Sequence, residues 1–143
     1  METLPPDAFE GCRLRRGGVW VVAFLADWCP FCRRFRSEFE TLERGDDFRT
    51  AVGDVTDDGS PLWDMFGIEV IPALAVFRDG ELVFRQDSDP GAGLPPGALK
   101  QARGAARAHP GRRGWRGGRS GRQRTFGPCR RLVSYGGRNW ARP

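Results

Sequence analysis

No apolar run in this chain approaches the roughly 18–20 residues that a membrane-spanning helix needs. The longest, residues 19–26, has the length of a strand, so no membrane partner is expected. The start, Met1-Glu2-Thr3-Leu4-Pro5-Pro6-Asp7, offers no positive charge, no apolar stretch and no small-residue cleavage site. A secretory signal is therefore not expected, and the cytoplasm is the default setting. Cysteine is scarce, at Cys12, Cys29, Cys32 and Cys129. In a reducing compartment so few cysteines point to chemistry rather than to a disulfide framework. Acidic residues are missing altogether after residue 99, and lysine occurs only as Lys100.

That last absence divides the chain. Residues 1–99 hold all 18 carboxylates against 10 arginines, a net charge of −8, whereas residues 100–143 hold Lys100 and 12 arginines, a net charge of +13. A length of 143 residues suits one domain with room for a tail. The expected organisation is a folded module over residues 1–108 followed by a disordered Arg/Gly-rich tail over residues 109–143. The tail offers little apolar surface to offset the entropy of ordering it. Gly111-Arg112-Arg113-Gly114-Trp115-Arg116-Gly117-Gly118-Arg119 resembles Arg-Gly-rich RNA-binding segments, in which guanidinium groups meet phosphate and Trp115 would stack on a base. A disordered extension without a partner and an altered reading frame remain alternatives for the same composition.

Within the module, residues 7–14 have weak helical spacing and suggest a short helix with Cys12 on its buried side. Val19-Trp20-Val21-Val22-Ala23-Phe24-Leu25 is continuously apolar and rich in β-branched and aromatic residues. That is the pattern of a central strand covered on both faces. From Pro30 onward Phe31, Phe35, Phe39 and Leu42 share one helical face, with Pro30 in the first turn and Gly45 at the end. Residues 48–55 suggest a second strand, which makes a right-handed βαβ unit with parallel strands. A short helix follows at residues 62–66, closed by Gly67. Asp79-Gly80 between apolar runs marks a hairpin of strands at 73–77 and 82–86. The alanine-rich residues 98–108 suggest a last helix that docks weakly.

Cys29-Pro30-Phe31-Cys32 falls at the junction of the apolar strand and the amphipathic helix. A cysteine at a helix N-terminus meets unpaired backbone N–H groups and the positive end of the macrodipole. With Arg33 and Arg34 beside it, a Cys29 pKa below the free value of about 8.5 is expected. Cys32, one turn along the same face, is within reach of a mixed disulfide on Cys29.

These residues resemble the thioredoxin family over about residues 7–100. Phe24-Leu25-Ala26-Asp27-Trp28-Cys29-Pro30-Phe31-Cys32 looks like its strand and active-site turn, and Gly67-Ile68-Glu69-Val70-Ile71-Pro72 followed by Asp79-Gly80-Glu81 looks like its cis-proline segment and hairpin. The resemblance implies an α/β fold, a thioredoxin-like three-layer sandwich around a central mixed sheet of about four strands. It further implies that Cys29 and Cys32 are catalytic, that Pro72 is cis, and that the Ile71 backbone pairs with an extended substrate beside the cysteines. Trp28 reads either as core filler or as a lid over the site, and the family position favours the lid. Phe31, in the exposed turn, is placed to touch substrate.

The implied activity is reduction of protein disulfides by a dithiol–disulfide cycle, with no organic cofactor and no metal. Disulfide-containing proteins would be the substrates, and an external reductase or a low-molecular-weight thiol would supply electrons. A glutaredoxin-like thiol transferase, suggested by Pro-Phe between the cysteines, and a non-catalytic module whose tail holds RNA are the alternatives. Half of a zinc site is a weaker reading of the cysteine pair, because only Cys12, Cys129 and His109 could complete it. The sequence departs from the family at Ala23, where its reductases usually carry a buried aspartate, and at Ala73, where threonine is usual. The family's first strand is expected to be missing or very short.

Overall fold

The computed structural model describes residues 1–44 and 48–107. In chain order the strands are β1 (Glu2–Leu4), β2 (Phe9–Glu10), β3 (Arg13–Leu14), β4 (Val19–Leu25), β5 (Arg49–Asp54), β6 (Ala73–Arg78) and β7 (Glu81–Asp87). The helices are α1 (Pro30–Glu40), α2 (Pro61–Phe66) and α3 (Ala98–Arg107), with 3₁₀ turns at Pro6–Ala8 and Thr41–Arg44.

Apolarity at every position makes β4 the strand that can be covered on both faces, and it lies at the centre of a five-stranded sheet ordered β1-β5-β4-β6-β7. It pairs parallel with β5 and antiparallel with β6. The three-residue β1 closes one edge, parallel to β5. It is the very short first strand that was one of the two expected outcomes, and it makes the sheet five-stranded where about four strands were expected.

Residues 7–14 form no α-helix: a 3₁₀ turn leads into the antiparallel hairpin of β2 and β3. Gly11, at φ +63°, opens a two-residue turn that an α-helix would not contain. Phe9 and Leu14 point inward while Glu10 and Arg13 face out, and strands of two residues leave no periodicity to read. Cys12 is half-buried in that turn and is disulfide-bonded, which replaces the expectation of a thiol filling a helix face. Gly45, His109, Cys129 and the 109–143 tail lie outside the described residues.

Phe9, Phe24, Phe66 and Phe77 form one aromatic cluster that ties the hairpin, β4, α2 and β6 together, with ring centroids 5.1 to 6.2 Å apart. Such edge and tilted contacts add to the area the rings bury. On α1, Phe35 and Phe39 are buried and stacked at 5.7 Å, and Leu42 beyond the helix end is buried too. α3 packs on β4, β6 and β7 through Ala98, Ala102 and Ala106, spaced four apart and all buried. Its Ala105 carbonyl accepts a 2.8 Å bond from Arg78. The face that packs is therefore made of alanines, without large apolar residues, as the sequence leads one to expect.

Strand register gathers the loops that matter at one sheet end. β4 and β5 finish side by side at Leu25 and Asp54, and β6 starts at Ala73 opposite both Phe24 and Asp87, the last residue of β7. Residues 26–29, 55–57, 71–72 and 88 therefore converge beyond the carboxyl ends of the two parallel strands, the usual place for a site in an α/β sheet.

Candidate active site

Cys29 is the N-cap of α1, with extended backbone (φ −94°, ψ 116°), and its Sγ accepts the Cys32 backbone N–H at 3.2 Å. Pro30 occupies the first helical position, where the missing N–H costs nothing. The cap therefore satisfies one of the orphan donors of the helix with sulfur rather than with a hydroxyl or carboxylate. Both thiols are free and buried, Cys32 almost completely, at 1% exposure. Burial pushes the Cys32 thiol up from its ordinary 9.0 to about 12, and its hydrogen bond with Cys29 pushes the same way.

Across from the helix start, the Cys29 Sγ lies 4.0 Å from the Ile71 carbonyl oxygen. The Ile71–Pro72 peptide is cis. α2 delivers this segment: Ser60 caps it, Pro61 opens it, and Gly67 in the left-handed region (φ 58°) ends it, so the chain turns back toward the cysteines.

Trp28 stands 53% exposed, which sets aside the core-filler alternative for its ring. Its indole N–H donates to the Thr56 carbonyl at 2.9 Å. Thr56 also accepts the Asp27 backbone N–H on its hydroxyl at 2.9 Å, and that hydroxyl donates to Asp54 at 2.6 Å. The loop after β5 thus fixes the turn that carries Trp28. Phe31 is half-buried: a Cβ at Gly93 (φ +83°) would come within 3.1 Å of its ring, and the Arg34 guanidinium lies 5.9 Å from the ring centroid. Cys29, Cys32, Trp28 and Ile71–Pro72 share one end of the sheet, with Phe31 against the loop between β7 and α3.

Thr56, Asp54, Gly93 and Ser88, which reaches Pro72, were not singled out from the sequence. Asp54 and Thr56 carry a local signal, because an Asp side chain readily accepts the N–H two residues on, as it does here at 3.0 Å. Gly93 and Ser88 carry none, since their partners, Phe31 and Pro72, lie in other elements of the fold. Among the described residues no group of three or more His, Cys, Asp or Glu side chains could hold a metal ion. No described helix is long and apolar enough to cross a membrane.

A family model described as Thioredoxin matches residues 2–93. The chain belongs to the thioredoxin family. Among its relatives, thioredoxin-related transmembrane protein 4 of Mus musculus is 36% identical over 76 residues, 52% of this chain but only 22% of the mouse protein. The chain thus spans about a fifth of that relative's length. Thioredoxin of Rhodospirillum rubrum is 29% identical over 83 residues, 57% of this chain and 80% of the bacterial protein. The crystal structure of thioredoxin f from spinach chloroplast superposes with a TM-score of 0.60 at 21% identity, covering 75% of this chain and 86% of that one, and supports the fold.

Proposed function

We propose that this thioredoxin-family chain is a thiol–disulfide oxidoreductase that reduces protein disulfides through Cys29 and Cys32. The observation that carries the reading is the pair itself: two free, buried thiols one helical turn apart, the first capping α1 beside the Ile71 carbonyl. Cys29 is the attacking sulfur. As thiolate it displaces one sulfur of a substrate disulfide, a Cys29–substrate S–S bond forms, and the displaced thiolate takes up a proton. The Cys32 thiol then loses its proton and attacks Cys29, which frees the second substrate thiol and leaves a Cys29–Cys32 disulfide. Two electrons have passed from the chain to the substrate. An external reductase or a low-molecular-weight thiol returns them.

The surroundings suit a polypeptide substrate. The exposed Trp28 ring supplies apolar contact area beside the buried sulfurs, and the Ile71 backbone, just before β6, would serve for pairing with an extended substrate. Insulin reduction with dithiothreitol as electron donor tests the activity. Cys32→Ser is expected to accumulate a mixed disulfide on Cys29, and Cys29→Ser to accumulate none. Trapping chiefly on Cys32 would reverse the two roles, and no reduction by the wild type above the dithiothreitol background would end the reading.

A further inference from the structure

Resting on that reading, we infer that Ser88 is a positioning residue for substrate binding: its hydroxyl pins the Pro72 carbonyl and so fixes the Ile71 peptide against which a polypeptide substrate pairs. The β6–β7 ladder ends at Ala73 opposite Asp87, and the chain beyond Asp87 turns away into a loop whose Asp89 bridges Gly93. Pro72, one residue before β6, keeps a carbonyl that the ladder no longer serves. Ser88 supplies the bond with its side chain: the hydroxyl donates to that carbonyl at 2.6 Å, and Ser88 is only 5% exposed. A buried acceptor left without a donor is costly, so the bond is strongly directed.

The other end of the same segment is held from β7, three residues before Ser88. Arg85, 4% exposed, donates to the Phe66 carbonyl at 2.6 Å, one of the carbonyls an α-helix leaves open at its C-terminus. Its guanidinium also meets both carboxylate oxygens of Asp87, at 2.7 and 2.9 Å. Residues 67–71 therefore run between two carbonyls, those of Phe66 and Pro72, each bonded by a side chain near the end of β7. The proline ring makes the second anchor effective. It locks φ, so the Ile71–Pro72 peptide plane and the Pro72 carbonyl are joined through a single soft torsion. Fixing that carbonyl fixes the plane that lies 4.0 Å from the Cys29 sulfur. Neither anchor bonds a cysteine directly, and the Ile71 carbonyl is only a long 4.0 Å contact for the Cys29 sulfur, so a loosened anchor weighs more on substrate alignment than on the reactivity of the thiol.

The test compares, in the full chain, wild type with Ser88→Ala and with the equally shaped pair Ser88→Thr and Ser88→Val. The rates measured are insulin turnover and the second-order reaction of the reduced protein with 5,5′-dithiobis(2-nitrobenzoic acid), a small disulfide that needs no peptide pairing. Ser88→Ala is expected to lower kcat/KM for insulin roughly five- to tenfold, the worth of one hydrogen bond, mainly through KM. The small disulfide should react as with wild type, and Ser88→Thr should recover most of the insulin activity where Ser88→Val does not. Equal losses on both disulfides, or Thr and Val variants that behave alike, would overturn the assignment. If Ser88→Ala does not fold, the Thr/Val comparison decides by itself. A wild type inactive on both disulfides would fail the oxidoreductase reading instead. Amide hydrogen exchange over residues 68–74 then decides the anchoring, with faster exchange in Ser88→Val than in Ser88→Thr expected and equal exchange overturning it.

Discussion

Cys32 carries the clearest electrostatic consequence at the scale of a single residue. Its pKa rises from 9.0 to about 12, first because it is buried and next because it is hydrogen-bonded to Cys29. An acid whose folded-state pKa is raised stabilises the fold fully below its unfolded value and loses that contribution as pH climbs toward the folded value. The reduced protein should therefore lose stability between about pH 9 and 12. Cys32→Ser, which cannot ionise there, should lose less when denaturant midpoints are compared across that range. The same shift bears on turnover. Once Cys29 is tied up in a mixed disulfide, the Cys29 contribution falls away but burial remains, so resolution should keep accelerating with pH through neutrality, by about tenfold per unit while Cys32 stays protonated. A release rate flat between pH 6 and 8 would show that deprotonation of Cys32 is not involved. At this scale Cys29 and Cys32 were legible in the sequence because their relation is local, four residues at a strand–helix junction. Thr56, which holds the turn before Cys29, and Ser88, which holds Pro72, were not, because the fold and not the local sequence brings each to the site.

Elements were legible in proportion to the length of their pattern. β4, α1 and the β6–β7 hairpin each carry a full signal: an unbroken apolar run, a cap followed by phenylalanines four apart, and an Asp-Gly turn in which both residues take positive φ, 49° and 92°. β1 and the β2–β3 hairpin carry too few residues to show a period. α3 hides its buried face because alanine is also what an exposed helix tolerates. β5 adds a constraint that periodicity alone does not express. Gly53 pairs with Phe24, and a Cβ there would come within 2.6 Å of the Phe24 ring, the ring that joins the aromatic cluster and lies five residues before Cys29. Gly53→Ala must displace that ring and is expected to destabilise the fold by about 1–3 kcal/mol. A denaturant midpoint unchanged from wild type would show that the ring is free to move aside.

For the whole molecule, the separation of charge into a −8 segment over residues 1–99 and a +13 segment over residues 100–143 asks how much of the chain the fold requires. By Arg107 the five-stranded sheet has both edges in place, and Ala98, Ala102 and Ala106 of α3 are buried. Nothing in the sequence after Ala108 repeats an apolar face, and no carboxylate there offsets its arginines. A chain ending at Ala108 is therefore expected to melt within about 3 °C of the full chain, the effect of a few tenths of a kcal/mol, and to reduce insulin equally well. An RNA-binding role for residues 109–143 makes a separate demand: retention of RNA by the full chain that falls steeply with salt and vanishes on truncation, with redox activity intact. Loss of folding on truncation would contradict both expectations. It would move the domain boundary past residue 108 and make Trp115, Phe126 or Leu132-Val133 part of the core.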